Sequence, residues 1–205
     1  MQSFTELPKD LPVPIDDGAC DHLPGLALPS INLSATSGRT VNLATLPGWV
    51  VIYCYPMTGR PGIPLPDGWD QIPGARGCTP QSCAFRDHYQ ELTALNAQVF
   101  GLSTQTTEYQ REAAERLHLP FELLSDSSLQ FANALRLPTF EIEGMRLIKR
   151  VTLIARDGKI VKYFYPIFPP DRNVADVIGW FRTAHLKNRH RTHALLKTQR
   201  RRHLL

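Results

Sequence analysis

Two of the four cysteines, Cys78 and Cys83, stand five residues apart in the segment CTPQSC. The apolar spacing that follows predicts an amphipathic helix beside Cys78, with Thr79 as its N-cap and Pro80 at its first helical position. A helix N-terminus offers unsatisfied N–H groups and the positive end of the helix dipole, and both stabilise an anionic sulfur. Because the thiolate is the reactive form of cysteine, Cys78 is a candidate nucleophile.

The spacing of the two thiols suits a redox cycle better than a permanent bridge. Five residues of continuous helix rise about 7.5 Å, whereas the Cα atoms of a disulfide usually lie within about 6.8 Å of each other. A bond between Cys78 and Cys83 therefore requires the first helical turn to unwind. Oxidation of Cys78 to a sulfenic acid, condensation with Cys83 and reduction by an external dithiol would make that unwinding a step of catalysis. On spacing alone, two inert core cysteines on one helix remain the alternative.

The other two cysteines show no comparable pattern. Cys54 lies in the apolar run WVVIYCY and is expected in the core, while Cys20 lies in a polar N-terminal segment with no evident partner. The first residues lack the basic start and apolar run of a secretory signal, and no apolar run approaches the roughly 20 residues that span a bilayer. We expect a cytoplasmic protein, without a transmembrane helix, whose thiols are catalytic or incidental.

The elements around these residues predict an α/β fold of thioredoxin type, with a central mixed β-sheet flanked by helices. Alternation around Ser37-Gly38 predicts an N-terminal β-hairpin that covers the main fold, and residues 49–55 predict a central strand buried on both faces. The further predicted elements are a strand at 99–102, a helix opened by Thr106 or Thr107, a strand at 121–124, a helix at 129–135, a hairpin of 147–155 and 159–165 turned at Asp157-Gly158, and a helix from Asp171.

Charge marks residues 182–205 as a basic C-terminal tail, and we expect the remainder to consist of an N-terminal extension (1–23) and a catalytic domain (24–181). The net charge is +4, but the tail carries eight Lys or Arg and no acidic residue, so the remainder is mildly acidic. A weak contact of the tail with a polyanion, such as nucleic acid or an anionic membrane surface, is one interpretation. Charge runs of this kind are more often simply solvated.

The sequence offers little support for a bound cofactor. Cys78, Cys83 and His88 follow a C-x4-C-x4-H pattern, but structural zinc sites favour tighter spacings and a second ligand pair. The Gly- and Pro-rich segment 57–77 matches neither the P-loop nor the dinucleotide fingerprint, and loops of this length are usually functional or mobile. We expect no metal, haem or flavin.

The segment GCTPQSCAFRD resembles the active-site segment of peroxiredoxins, in particular the peroxiredoxin Q or bacterioferritin comigratory protein group. The resemblance covers roughly residues 24–181 and includes the hairpin KRVTLIARDGKI. It implies that Cys78 is the peroxidatic and Cys83 the resolving cysteine. It also implies a hydroperoxide substrate, either hydrogen peroxide or a small organic one, a thioredoxin- or glutaredoxin-like reductant, and a monomer or homodimer.

The same resemblance points to two further residues. Arg150 stands at the start of an R-x-T-x-I strand, where the family holds an arginine that stabilises the thiolate and orients the peroxide. Peroxiredoxins also usually carry Thr or Ser three residues before the peroxidatic cysteine and Pro seven before, where this chain has Ala75 and Gln71. An insertion after Pro56 would let Thr58 approach from the other end of the long loop, so Thr58 is a candidate catalytic residue.

Two other functions remain open on the sequence. A thiol-disulfide oxidoreductase of the same fold would normally carry a C-x-x-C motif, which this chain lacks. A non-catalytic redox sensor or polyanion-binding protein would instead use the basic tail for recognition.

Overall fold

The computed structural model describes residues 7–184. Nine strands and five helices carry the fold within this range. The strands are β1 (Asn32–Ala35), β2 (Thr40–Asn42), β3 (Trp49–Cys54), β4 (Ala97–Ser103), β5 (Glu122–Ser125), β6 (Thr139–Ile142), β7 (Met145–Ile148), β8 (Val151–Arg156) and β9 (Lys159–Phe164). The helices are α1 (Cys78–Asp87), α2 (Tyr89–Ala94), α3 (Thr107–Arg116), α4 (Gln130–Ala134) and α5, which covers residues 173–184.

Seven strands form one mixed sheet in the order β2-β1-β5-β4-β3-β8-β9. The pairs β3–β4 and β4–β5 are parallel, and the other pairs are antiparallel. Tyr53 on the central strand β3 lies opposite Gly101 on β4 and Thr152 on β8. A side chain at Gly101 would meet the Tyr53 hydroxyl, since a Cβ there would lie only 2.7 Å from that oxygen. The predicted central strand is thus confirmed.

The sheet separates two hydrophobic cores because alternate β3 side chains point to opposite faces. Ile52 and Cys54 pack with α4 and the β1–β2 hairpin on one face. Val51 and Tyr53 pack with α1, α2 and α5 on the other. This second core supports the helix that begins at Cys78, so the strand centre and the predicted nucleophile are directly linked.

The N-terminal hairpin is present, but its expected position as a cover is wrong. Strand β1 pairs with β5 through Ser34–Ser125 and Ala35–Leu124, so the hairpin extends the central sheet at one edge. The backbone groups of β5 would otherwise lie unpaired at that edge, and pairing with β1 satisfies them.

The start of α1 also differs from the prediction. The helix begins at Cys78 with Gly77 as N-cap, so Thr79 and Pro80 occupy the second and third helical positions. Gly77 has a φ of 101°, a left-handed value that favours glycine. A Cβ at Gly77 would lie 2.8 Å from Leu7 Cδ2, so tertiary packing also requires glycine here. The helix ends earlier than its apolar spacing suggests, since His88 separates α1 from α2.

The predicted strand over residues 147–155 is wrong in its first part. Leu147 and Ile148 belong to β7, which pairs with β6 in a separate two-stranded sheet. Glu143 and Gly144 both have positive φ, as a tight hairpin turn requires. Arg150 therefore lies in the short break between β7 and β8, just ahead of the central sheet.

Two further predictions concern a membrane-spanning helix and the basic C-terminal tail. None of the helices in residues 7–184 has the length and hydropathy to cross a bilayer. The basic tail falls almost entirely in residues 185–205, so its predicted polyanion contact lies outside the described residues.

Candidate active site

Cys78 occupies the first helical position of α1 and is 3% exposed. Its Sγ lies 3.2 Å from Nη2 of Arg150 and 3.6 Å from the carbonyl oxygen of Ala75. The sulfur is therefore flanked by a guanidinium donor, a carbonyl acceptor and the N-terminus of a ten-residue helix. Of these neighbours, the guanidinium and the helix N-terminus are the groups that can stabilise a negative charge on the sulfur.

Arg150 organises the loop that leads into α1. Its Nη2 lies 3.2 to 3.3 Å from the carbonyl oxygens of Gly74, Ala75 and Arg76, while Nη1 donates to Gln81 Oε1. All of these acceptors are neutral, and within residues 7–184 no carboxylate forms an ion pair with Arg150. The positive charge of Arg150 is therefore solvated by neutral carbonyl and amide oxygens and is not neutralised by a carboxylate. It can interact with an anionic sulfur or a peroxide oxygen.

A buried polar network continues from the arginine to the sheet and α5. Gln81 Nε2 donates to Asn173 Oδ1 at 3.0 Å, and Thr152 Oγ1 donates to the same oxygen at 2.7 Å. All three side chains are at most 1% exposed. Sequence analysis missed Gln81 and Asn173, because the first contact joins residues 92 positions apart. The one sequence signal for Gln81 was its position three residues after Cys78, in the first turn of the predicted helix.

Cys83 has a different environment, although it lies on the same helix. It is half-buried, and burial raises the pKa of its thiol, with the nearby Arg86 guanidinium acting in the opposite direction. Both predicted redox cysteines are free thiols on one continuous α1 helix. We therefore still predict that the first turn of α1 must unwind before a disulfide between Cys78 and Cys83 can form, because the structure places both thiols on one helix.

The remaining cysteines are buried in the core. Burial raises the pKa of Cys20 to about 12 and raises that of Cys54 further. Both are fully buried members of the same hydrophobic cluster, and neither is suited to attack a substrate.

Thr58 does not lie in hydrogen-bonding contact with the nucleophile. It is fully buried, and both its backbone N–H (3.0 Å) and its hydroxyl (3.2 Å) donate to Gln105 Oε1. In the part of the chain that the structure describes, no hydrogen bond joins Thr58 to Cys78 or Arg150. Ala75, at the position where the family usually carries a hydroxyl, contributes its backbone carbonyl instead.

Tyr53 connects the sheet to α1 between the two cysteines. Its hydroxyl donates to Ser82 Oγ at 3.2 Å, and its ring stacks on Phe85 with centroids 4.5 Å apart. Burial raises the pKa of the Tyr53 hydroxyl, so this group stays a neutral hydrogen-bond donor. The contact was not foreseen from sequence, where Tyr53 was only one residue of an apolar run.

His88 does not approach the cysteines as a third ligand. Its side chain is 45% exposed, and its Nδ1 lies 2.7 Å from Glu91 Oε1. Among residues 7–184, no three His, Cys, Asp or Glu side chains come together in an arrangement that could hold a metal ion.

Comparison with known proteins identifies the family to which the chain belongs. Residues 23–178 match the Redoxin family model, which is most of the chain, so the protein belongs to the redoxin family. Its curated relatives include peroxiredoxin Q of Oryza sativa subsp. japonica, a chloroplastic protein 31% identical over 75% of this chain and 64% of the relative. Peroxiredoxin Bcp of Bacillus subtilis is 29% identical over 67% of this chain and 82% of that protein. The chain thus spans about 64% of the length of the rice relative.

Solved structures agree on the fold. Peroxidoxin BcpB of Mycobacterium tuberculosis superimposes with a TM-score of 0.65 at 24% identity, covering 79% of this chain and 98% of that protein. Peroxiredoxin Q of Xanthomonas campestris gives a TM-score of 0.58 at 19% identity, covering 85% of this chain. The predicted thioredoxin-like fold, with its central mixed sheet, is confirmed.

Proposed function

We propose that the protein is a thiol-dependent peroxidase of the peroxiredoxin Q type, with Cys78 as the nucleophile. The observation that carries the proposal is the 3.2 Å contact between Arg150 Nη2 and Cys78 Sγ at the N-terminus of α1. A cation and a helix dipole at one buried sulfur favour the thiolate that peroxide chemistry requires. The same cation stabilises the negative charge that develops on the leaving oxygen.

The first step oxidises the nucleophile. The Cys78 thiolate attacks one oxygen of the hydroperoxide, the O–O bond breaks, and an S–O bond forms. The leaving oxygen takes a proton and departs as water or an alcohol, while Cys78 becomes a sulfenic acid. Arg150 is in place to orient the two oxygens through its fork of N–H donors.

The second step resolves the sulfenic acid. After the first turn of α1 unwinds, the Cys83 sulfur attacks the Cys78 sulfur, a disulfide forms, and the sulfenic oxygen leaves as water. Two electrons from an external dithiol then restore both thiols. We assign this role to a thioredoxin- or glutaredoxin-like reductant and place the enzyme in the cytoplasm, where thiols of this kind are kept reduced.

Thr58 fits this scheme as a positioning residue. Its hydroxyl is engaged by Gln105, a residue that follows β4, so it ties the start of the long loop to the sheet. We propose that Ala75 and Arg76 backbone carbonyls, by holding Arg150, take over the organising role of the missing active-site hydroxyl.

The test is consumption of hydrogen peroxide by the reduced protein with a dithiol donor. Wild type, Cys78→Ser and Cys83→Ser are compared, with Cys54→Ala as a control that removes a thiol outside the site. Cys78→Ser should lose at least about a thousandfold in rate, and Cys83→Ser should accumulate a trappable sulfenic acid at Cys78. Turnover of protein disulfides without peroxide consumption would instead favour a thiol-disulfide oxidoreductase.

A further inference from the structure

The N-terminal segment, residues 7–22, precedes the part of the chain that matches the redoxin family. It nevertheless lies along the loop that carries the nucleophile. Leu7 contacts the Gly77 turn, where an added Cβ would lie 2.8 Å from Leu7 Cδ2. Pro14 lies beside Gly74, where an added Cβ would lie 3.5 Å from Pro14 Cγ. The segment is therefore part of the active-site surroundings, although it is not part of the family match.

Several contacts hold this segment in place. Asp17 forms an ion pair with Lys149 at 3.2 Å, and a hydrogen bond from Tyr165 lowers the pKa of Asp17. Four residues later, Asp21 accepts a hydrogen bond of 2.7 Å from the Tyr163 hydroxyl. Cys20 between them is fully buried. These anchors fix the position of the residues just before them.

Val13 and Ile15 are exposed despite their apolar side chains, at 61% and 84%. They line a cleft of about 250 Å³ together with Ile72, Phe140 and Ile167. Arg150 lies in the same lining. Since Arg150 also contacts Cys78 Sγ, this side chain links the cleft to the proposed nucleophile.

The charge of the cleft favours an uncharged ligand. Lys149 also lines it, but its ammonium group is compensated by Asp17. Arg150 is directed to the sulfur and the loop carbonyls. What remains is a small cavity lined mainly by apolar side chains and by Arg150, and apolar walls with few polar groups are typical of small-molecule sites.

We propose that Val13 and Ile15 are specificity-determining residues that bind the apolar substituent of an uncharged organic hydroperoxide. Arg150 then holds the peroxide group against Cys78. The proposal rests on the peroxidase function and adds two residues outside the family match that set the preference among hydroperoxides. A concave cavity of this size fits a small molecule better than the broad surface on which a protein reductant docks.

The experiment measures the rate constant for oxidation of Cys78 in a single turnover, without reductant, by cumene hydroperoxide and by hydrogen peroxide. Wild type is compared with the double variant Val13→Ser, Ile15→Ser. Val161→Ser is the matched control, because Val161 is an exposed (40%) valine outside the cleft. We expect the cumene-to-hydrogen-peroxide rate ratio to fall by about tenfold in the double variant and to stay at the wild-type value in the control.

The outcomes separate this inference from the function on which it rests. An unchanged ratio in the double variant, or an equal fall with both hydroperoxides, overturns the assignment of Val13 and Ile15. If neither hydroperoxide oxidises Cys78 in the wild type, the peroxidase function itself fails, and the inference fails with it.

Discussion

The two halves of α1 each carry a cysteine, and the two cysteines have different environments. At the first turn, Cys78 is almost fully buried and contacts a guanidinium that is held by neutral carbonyl and amide oxygens. Five residues later, Cys83 is half-buried, and burial raises the pKa of its thiol. The difference teaches that the surroundings of a thiol, rather than its place on a shared helix, determine which charged groups it meets, and the two roles proposed for these cysteines depend on that contrast.

The two halves also differ in how they are held. Gly77 caps the helix without a side-chain hydrogen bond, so the first turn lacks the few tenths of a kcal/mol, on the order of 0.3, by which a Ser or Asp cap exceeds glycine. Beyond that turn, the Tyr53–Ser82 hydrogen bond and the Tyr53–Phe85 stack fasten α1 to the sheet. We infer that the first turn opens during the cycle while the remainder of α1 stays docked.

Replacing Arg150 removes the cation beside Cys78 and should have the largest effect on the rate of Cys78 oxidation. In Arg150→Met the rate of Cys78 oxidation should fall by about a hundredfold or more, because the thiolate and the leaving oxygen both lose their stabilising cation. Single-turnover kinetics with hydrogen peroxide measures this rate. Arg150→Lys should recover only part of the loss, since an ammonium lacks the planar fork of donors. Full activity in Arg150→Met would remove the arginine from the mechanism.

The raised pKa of Cys83, in the second half of α1, is tested by the pH dependence of disulfide formation. Burial raises the pKa of Cys83, so at neutral pH only a small fraction is thiolate, and that fraction grows about tenfold per pH unit below the pKa. The rate at which the sulfenic acid disappears should therefore rise by about tenfold from pH 7 to pH 8. Rapid quenching and mass spectrometry follow this step. A flat profile would mean that the unwinding of α1 alone sets the rate.

The boundary between the halves is tested by Tyr53→Phe, which deletes the hydroxyl and keeps the ring. Loss of the Ser82 contact should lower the free energy of unfolding by about 1 kcal/mol. Because this contact lies in the part of α1 that stays docked, the rate of disulfide formation should stay close to that of the wild type. Denaturant unfolding and quenched kinetics measure the two effects. A slower disulfide step in a folded Tyr53→Phe would contradict the inferred hinge.

Thr58→Val should have the smallest effect on the chemistry. Because the Thr58 hydroxyl donates to Gln105, its removal should cost about 1 kcal/mol of stability. The rate of Cys78 oxidation should stay close to that of the wild type. A fall comparable to that of Arg150→Met would show instead that Thr58 reaches the peroxide during catalysis.

Local patterns predicted a large part of this fold. The continuous apolar run at β3, the start of α3 at Thr106 or Thr107 and the Asp157-Gly158 turn each depend on neighbouring residues. The structure confirms all three, with Thr106 as the cap of α3. The start of α1 was misplaced because Thr79-Pro80 is a strong local cap signal, whereas the position of Gly77 is set by distant residues that pack against it.

The candidate site was only partly predictable for the same reason. Placing Cys78 at a helix N-terminus needed only its own segment, and the family resemblance added Arg150. The link from Gln81 to Asn173 joins distant parts of the chain through side-chain geometry. The wall formed by Val13 and Ile15 likewise depends on how an N-terminal segment folds back over a loop some 60 residues later.

The most direct measurement of the central claim is to map the oxidised cysteines by mass spectrometry after one equivalent of hydrogen peroxide is added to the reduced protein. The account predicts a Cys78–Cys83 disulfide in the wild type and a sulfenic acid at Cys78 in Cys83→Ser, with Cys20 and Cys54 still reduced. A Cys78 that remains a thiol, or oxidation that begins at another cysteine, would contradict the assignment of Cys78 as the nucleophile.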